Sequence, residues 1–85
     1  MSTESRRTTF LIDAVAESAL LTRVLEPFCV RSMIPDHVAC ERDADAMKIR
    51  ISVRDLDQTI AEHLRLRIAQ IVPVRDILLD STIGT

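Results

Sequence analysis

Apolar and polar residues alternate over Ala46–Arg54, and this segment gives the clearest secondary-structure prediction in the chain. Strict alternation is typical of a strand that has one face on the core and the other in water. The buried face is predicted to consist of Met47, Ile49, Ile51 and Val53. The opposite face carries Lys48, Arg50 and Ser52.

Two other segments have a helical period. Apolar residues spaced i, i+3, i+4 and i+7 predict a first helix over about residues 19–31, with Ser18 as its N-cap. Pro27 cannot donate a backbone hydrogen bond, so we expect a kink in this helix. Asp55 and Gln58 have the spacing of a capping box and predict the start of a second helix. Its apolar row consists of Leu56, Ile60, Leu64 and Ile68.

Three further extended segments complete the pattern. Arg6–Ala16 is predicted as the first strand, Ile34–Glu41 as the second and Ile71–Leu79 as the fourth. The order β-α-β-β-α-β is typical of an α+β, ferredoxin-like fold, in which two helices cover one face of a four-stranded antiparallel sheet of order 4-1-3-2. Pro35 and Pro73 fall in the two edge strands of that sheet, where proline is tolerated.

The chain is long enough for one small domain, at 85 residues. We expect this domain to span residues 6–80, with a disordered N-terminus at 1–5 and a flexible tail at 81–85. No segment reaches the roughly 20 apolar residues of a membrane-spanning helix. The apolar stretch after Arg7 contains Asp13 and Glu17, which argues against an export signal. A cytoplasmic protein without membrane contact is therefore expected.

Composition argues against several classes of function. The net charge of −2, the two Phe and the absence of Tyr and Trp argue against nucleic-acid binding. The single Gly argues against an acylphosphatase-type enzyme, whose phosphate loop after strand one is Gly-rich. His37 and His63 lack further ligands at close spacing, so no metal or cofactor is expected, and no residue is assigned a catalytic role. Cys29 and Cys40 are expected to be small core residues.

Three stretches carry a resemblance to a known family: ALLTRVLEPF at 19–28, MIP at 33–35 and MKIRISV at 47–53. They resemble the ACT domain, most closely that of the small regulatory subunits of acetolactate (acetohydroxyacid) synthase. The likeness extends over about Thr8–Leu79. It implies a non-catalytic regulatory or stabilising subunit in the biosynthesis of branched-chain amino acids, associated with a large catalytic enzyme. A stand-alone amino-acid sensor is the alternative, and an acylphosphatase-type enzyme ranks third.

The same resemblance implies where a ligand would bind. The site would lie at the connection between strand one and helix one, and it would be completed across an interface between paired domains. The implied contacts are Ala16, Glu17, Ser18, Ala19 and Leu20 on one side, and Met33, Ile34, Pro35 and Asp36 on the other.

Two of these positions depart from the family. Ala16 and Ala19 stand where effector-binding members usually have Asn and Gly. Ala16 has no side-chain hydrogen-bonding group, and the methyl group of Ala19 obstructs close approach of a ligand to the backbone. We therefore expect no branched-chain amino acid to bind below about 1 mM.

The second strand predicts a homodimer, because an exposed strand edge needs cover. Pairing this edge with its two-fold mate would give a continuous eight-stranded sheet. The expected interface residues are Leu20, His37, Val38 and Cys40.

Overall fold

The computed structural model describes residues 5–84, with side chains described for residues 6–82. The elements in chain order are β1 (Ser5–Val15), α1 (Leu20–Val30), β2 (His37–Asp43), β3 (Ala46–Arg54), α2 (Gln58–Ala69) and β4 (Val74–Gly84). The four strands form one antiparallel sheet in the order β2-β3-β1-β4. This confirms the predicted ferredoxin-like βαββαβ fold and its strand order.

The central strands β1 and β3 supply the floor of the core. Phe10 lies opposite Ile51 and Ile12 lies opposite Ile49, and all four side chains are buried. The ring of Phe10 meets the ring of Phe28 on α1 edge to face, with centroids 5.1 Å apart. The predicted alternation in β3 is confirmed from Lys48 to Ile51, whereas Ser52, on the face predicted to be solvated, is only 4% exposed. From α1 and α2 the core also receives Leu20, Val24, Ala61, Leu64 and Ile68.

The two prolines flank the edge strands and do not lie inside them. Pro35 precedes the first residue of β2 by two positions, and Pro73 immediately precedes β4. The predicted starts at Ile34 and Ile71 are therefore too early. A proline has no amide hydrogen for the ladder, so pairing begins only after it.

The C-terminal end of β4 extends beyond its predicted limit. Residues 81–84, which we assigned to a tail, continue the strand, and Gly84 pairs with Ser5. Ladder hydrogen bonds come from the backbone, so the sequence pattern gave no signal for this extension. The predicted disordered N-terminus covered residues 1–5, but Ser5 is the first residue of β1. Residues 1–4 and Thr85 lie outside the described residues.

The starts of both helices differ from prediction. Ala19 occupies the N-cap of α1 without a side-chain hydrogen bond, so Ser18 is not the cap. At α2 the N-cap is Asp57, whose carboxylate accepts from the amide of Thr59 at 2.7 Å. Asp55 lies before the helix with a φ of 56°, and its amide donates to the carbonyl of Arg6 at 2.8 Å.

Helix α1 ends in a Schellman turn, which directs the chain toward β2. The amide of Ser32 donates to the carbonyl of Cys29, and the amide of Met33 donates to the carbonyl of Phe28, both at 2.9 Å. Ser32 adopts the left-handed conformation of this motif with a φ of 57°. Met33 then packs against the core.

We predict that Ile51→Ala lowers the free energy of unfolding by about 2–5 kcal/mol, because it empties a fully buried site. Ile51 has no exposed surface and lies between Phe10 and Val38 in the sheet. Urea unfolding followed by circular dichroism measures the change. Val72→Ala is the control, since Val72 is 87% exposed, and it should change stability by less than about 0.5 kcal/mol. An equally small change for Ile51→Ala would contradict the register of the core.

Candidate functional site

The connection between β1 and α1, residues 16–19, is the candidate ligand loop, and its backbone is held at both ends. The amide of Ala16 donates to the carbonyl of Asp45, in the turn between β2 and β3, at 2.8 Å. The amide of Leu20 donates to the carbonyl of Glu17 at 3.1 Å. The amides of Ala16 and Leu20 are therefore already hydrogen-bonded within the protein and are not free to bind a ligand. The remaining donors of the loop are the amides of Glu17, Ser18 and Ala19.

The side chains of the loop offer little to a ligand. Glu17 lies 3.5 Å from the guanidinium of Arg23, and both side chains are about half exposed, at 50% and 43%. Such a solvated ion pair is weak, but Arg23 still competes with a ligand ammonium for this carboxylate. Ser18 contributes one exposed hydroxyl, whereas Ala16 and Ala19 contribute only methyl groups.

Leu20 does not belong to either surface for which it was predicted. Its side chain is completely buried in the core. It is therefore unavailable to a ligand in the loop and to a second protomer at the edge of β2. The helical spacing of apolar residues includes Leu20, but it does not predict that the side chain of Leu20 is completely buried.

The second half of the implied site lies at the other end of α1. Met33 is half-buried against the core, whereas Ile34 is 86% exposed. Helix α1 has 11 residues and separates these residues from the candidate loop by roughly 16 Å along its axis. Within one protomer, the structure therefore does not bring the two halves together. Asp36 continues toward β2, with its amide bound to the carbonyl of Ser52 at 2.8 Å.

The predicted interface residues of β2 lie along an open edge. Val38 and Cys40 are opposite Ile51 and Ile49, so they point to the helix-covered side of the sheet. Both are nevertheless exposed, Val38 to 40%, and His37 is exposed on the other side. Cys29 and Cys40 are both free and exposed, so their assignment to the core was wrong. The helices do not extend over the outermost strand, which leaves these apolar positions uncovered.

One flank of α1 borders this region, with Leu21 and Leu25 only partly buried and Cys29 exposed. The groove between α1 and α2 is lined on the α1 side by Arg23, Glu26 and Pro27. At 100° per residue, the opposite flank of α1 presents Leu21, Leu25 and Cys29. Since α2 packs on β4, at the far edge of the sheet, this flank faces β2. We call the combined surface the β2-edge patch; it consists of Leu21, Leu25, Cys29, Val38 and Cys40.

The three α1 residues of this patch were not predicted as interface residues. They continue the apolar stripe that the core requires, so their spacing alone resembles that of buried residues. The signal was the width of the stripe, which is broader than one helix needs to cover a sheet.

Neither a metal site nor a membrane-spanning helix finds support in residues 5–84. No group of three or more His, Cys, Asp or Glu in this range could hold a metal ion. The helices in the same range are too short and too polar to cross a membrane. On α2, a hydrogen bond from Arg65 lowers the pKa of the Glu62 carboxyl. This pair lies on the solvated surface of α2, outside both candidate regions.

The family model described as the ACT-like domain matches residues 2–83. None of the curated proteins compared with this chain matches it.

Solved structures share the fold at very low sequence identity. The ACT domain of GTP pyrophosphokinase from Chlorobium tepidum has a TM-score of 0.77 and 5% identity, covering 92% of this chain and 100% of that one. A formyltetrahydrofolate deformylase from Pseudomonas syringae has a TM-score of 0.70 and 12% identity, over 92% of this chain and 27% of that one. The regulatory subunit of aspartate kinase from Thermus thermophilus has a TM-score of 0.66 and 15% identity, over 95% of this chain and 59% of that one. Likeness at this level shows the fold alone.

Proposed function

Because this chain belongs to the ACT-like domain family, we propose that it is a non-catalytic regulatory or stabilising subunit of a larger biosynthetic enzyme. ACT domains commonly dimerise and regulate larger enzymes. The β2-edge patch is the observation that carries this proposal, since it is an uncovered apolar surface beside an unpaired strand edge. The resemblance of residues 19–28, 33–35 and 47–53 to acetolactate synthase small subunits supports the catalytic subunit of that enzyme as the partner.

The first step of association is a homodimer through β2. The outer edge of His37–Asp43 has no neighbouring strand in the sheet. A second copy related by a two-fold axis normal to the sheet would pair with this edge and extend the sheet to eight strands. The same rotation places the two α1 flanks against each other and covers Leu21, Leu25 and Cys29. Backbone pairing and apolar burial thus favour the same arrangement.

This dimer would also join the two halves of the candidate ligand site. Antiparallel pairing puts the beginning of one β2 beside the end of the other. The end of β2 leads into the turn in which Asp45 holds Ala16. Ile34 and Pro35 of the second copy therefore approach the candidate loop, although they are remote from it within one protomer.

The assembled site still lacks the groups that an amino-acid ligand requires. A free amino acid carries an ammonium and a carboxylate, and a desolvated charge without a partner costs several kcal/mol. Glu17 is the only acidic side chain of the loop, and it is already close to Arg23. Its charge would also repel the ligand carboxylate. The chemistry of the loop therefore favours a role in association over one in sensing.

We predict that valine, leucine and isoleucine show no binding below about 1 mM in calorimetric titrations of the isolated protein. The reason is the methyl groups of Ala16 and Ala19, together with the Glu17–Arg23 pair. Micromolar affinity for any of the three would overturn this prediction and favour the stand-alone sensor.

We predict that the protein sediments as a dimer at micromolar concentration and that Val38→Lys shifts it to a monomer. The substituted ammonium would lie in the apolar interface, where burying an unpaired charge is costly. Leu66→Lys is the matched control, because Leu66 is 49% exposed on α2, away from β2. A wild-type protein that sediments only as a monomer, or equal dissociation by both variants, would argue against the β2 interface.

The proposed partner is tested by mixing the protein with the acetolactate synthase catalytic subunit of the same organism. We expect the two chains to co-elute in size-exclusion chromatography and the specific activity of the enzyme to change. Val38→Lys and Leu66→Lys then separate an effect of the dimer from an effect of added charge. Absence of both complex and activity change would remove acetolactate synthase as the partner, without changing the family assignment.

A further inference from the structure

The sheet face opposite the helices carries a shallow basin with a volume of about 730 Å³. It lies over β1, β3 and β4, at the end of β1 remote from the candidate loop. Its lining includes three arginines and three hydroxyl residues: Arg7, Arg50, Arg54, Thr9, Ser52 and Thr82. The basin is therefore rich in hydrogen-bond donors.

Like charges face each other across the two central strands of this basin. Arg7 on β1 lies directly opposite Arg54 on β3. Like charges in directly opposed positions of a sheet are destabilising. Arg50 lies on the same face of β3, on the other side of Ser52. Alternate residues of a strand stand roughly 6.7 Å apart, so Arg50 and Arg54 flank Ser52 on β3, and Arg7 faces Arg54 from β1.

The floor between these arginines is ordered and polar. The hydroxyl groups of Thr9 and Ser52 are hydrogen-bonded to each other at 2.9 Å. Ser52 is only 4% exposed, so its hydroxyl is fixed by packing. A fixed hydroxyl pair can orient a ligand oxygen in a way that mobile surface side chains do not.

The charge of the basin is only partly compensated. Arg54 lies 3.6 Å from Asp36, and the second acid, Asp80, lies on β4 beside Thr9. Asp36 precedes β2 and Asp80 lies on β4, so the two acids flank the arginines, which occupy β1 and β3. Among the described side chains, Arg7 and Arg50 form no ion pair with a carboxylate. The centre is thus a positive region in a chain of net charge −2.

We propose that this basin binds a small anion with two or more charged oxygen-bearing groups, of the oligophosphate or polycarboxylate class. Guanidinium groups bind phosphate and carboxylate oxygens in a bidentate manner, and such charge-assisted hydrogen bonds are strong. A bound anion would also relieve the repulsion between Arg7 and Arg54. One O–H of the Thr9–Ser52 pair is used in the bond between them, and the other can donate to an oxygen of the anion from below. This site is separate from the candidate loop and does not depend on the proposed function.

Calorimetric titration with sodium pyrophosphate and with sodium citrate tests the proposal, at low ionic strength to limit screening. We expect saturable binding of at least one anion, weakened about tenfold or more by Arg7→Gln and by Arg50→Gln. Asp80→Asn should strengthen binding, because it removes a repelling carboxylate. Arg31→Gln and Arg75→Gln are the controls, since both residues are exposed outside the basin, and they should change affinity by less than about twofold.

Binding of pyrophosphate alone would identify the ligand class as oligophosphate, and binding of citrate alone would identify it as polycarboxylate. No binding of either anion up to about 10 mM would overturn the proposal. Equal weakening by the basin and control variants would also overturn it, because it would show a diffuse effect of net charge. Chemical-shift changes at the Thr9 and Ser52 amides of the wild-type protein provide a readout that does not depend on any variant.

Discussion

The pairing of β1 with β3 is the constraint on which the rest of this structure depends. It places Phe10 opposite Ile51 and Ile12 opposite Ile49, and α1 and α2 pack on the buried surface that results. A shift of one residue in the pairing of β1 with β3 would expose these apolar side chains to water, so the register is strongly specified. Because these two strands occupy the centre, β2 and β4 become the edges. Both the proposed association surface and the open face of the sheet are consequences of that arrangement.

The fold was predictable from sequence because its core strands alternate and its helices have a regular apolar row. The ends of the elements were less predictable. Asp55 and Asp57 are equally suitable caps by composition, and only the structure places the carboxylate of Asp57 at the amide of Thr59. The end of β4 was missed because backbone pairing with β1 requires no apolar side chain. The local sequence is thus compatible with several possible ends for a helix or strand, and contacts with the rest of the fold determine which end is adopted.

The functional surfaces were predictable only in part. Family resemblance pointed to the loop at 16–20, and the exposed edge of strand two pointed to β2, but neither showed that Leu20 is buried. The α1 flank of the β2-edge patch depends on how far the sheet extends beneath the helix, which periodicity does not encode. The arginine basin was missed for a related reason. Arg7 and Arg54 are far apart in sequence, and only the cross-strand register shows that they are opposed.

We infer that the protein associates through β2 and that the loop at 16–19 binds no amino acid. Hydrogen exchange of the backbone amides tests both inferences most directly. Exchange is measured by mass spectrometry on the wild-type protein at about 1 µM and at about 100 µM, with matched labelling times. We expect the outward-facing amides of residues 37–43 to exchange more slowly at the higher concentration, because the second copy pairs with them. The amides of Glu17 and Ser18 should exchange equally fast with and without added branched-chain amino acids. Concentration-independent exchange in β2, combined with protection of the loop by an amino acid, would contradict the account and favour a monomeric sensor.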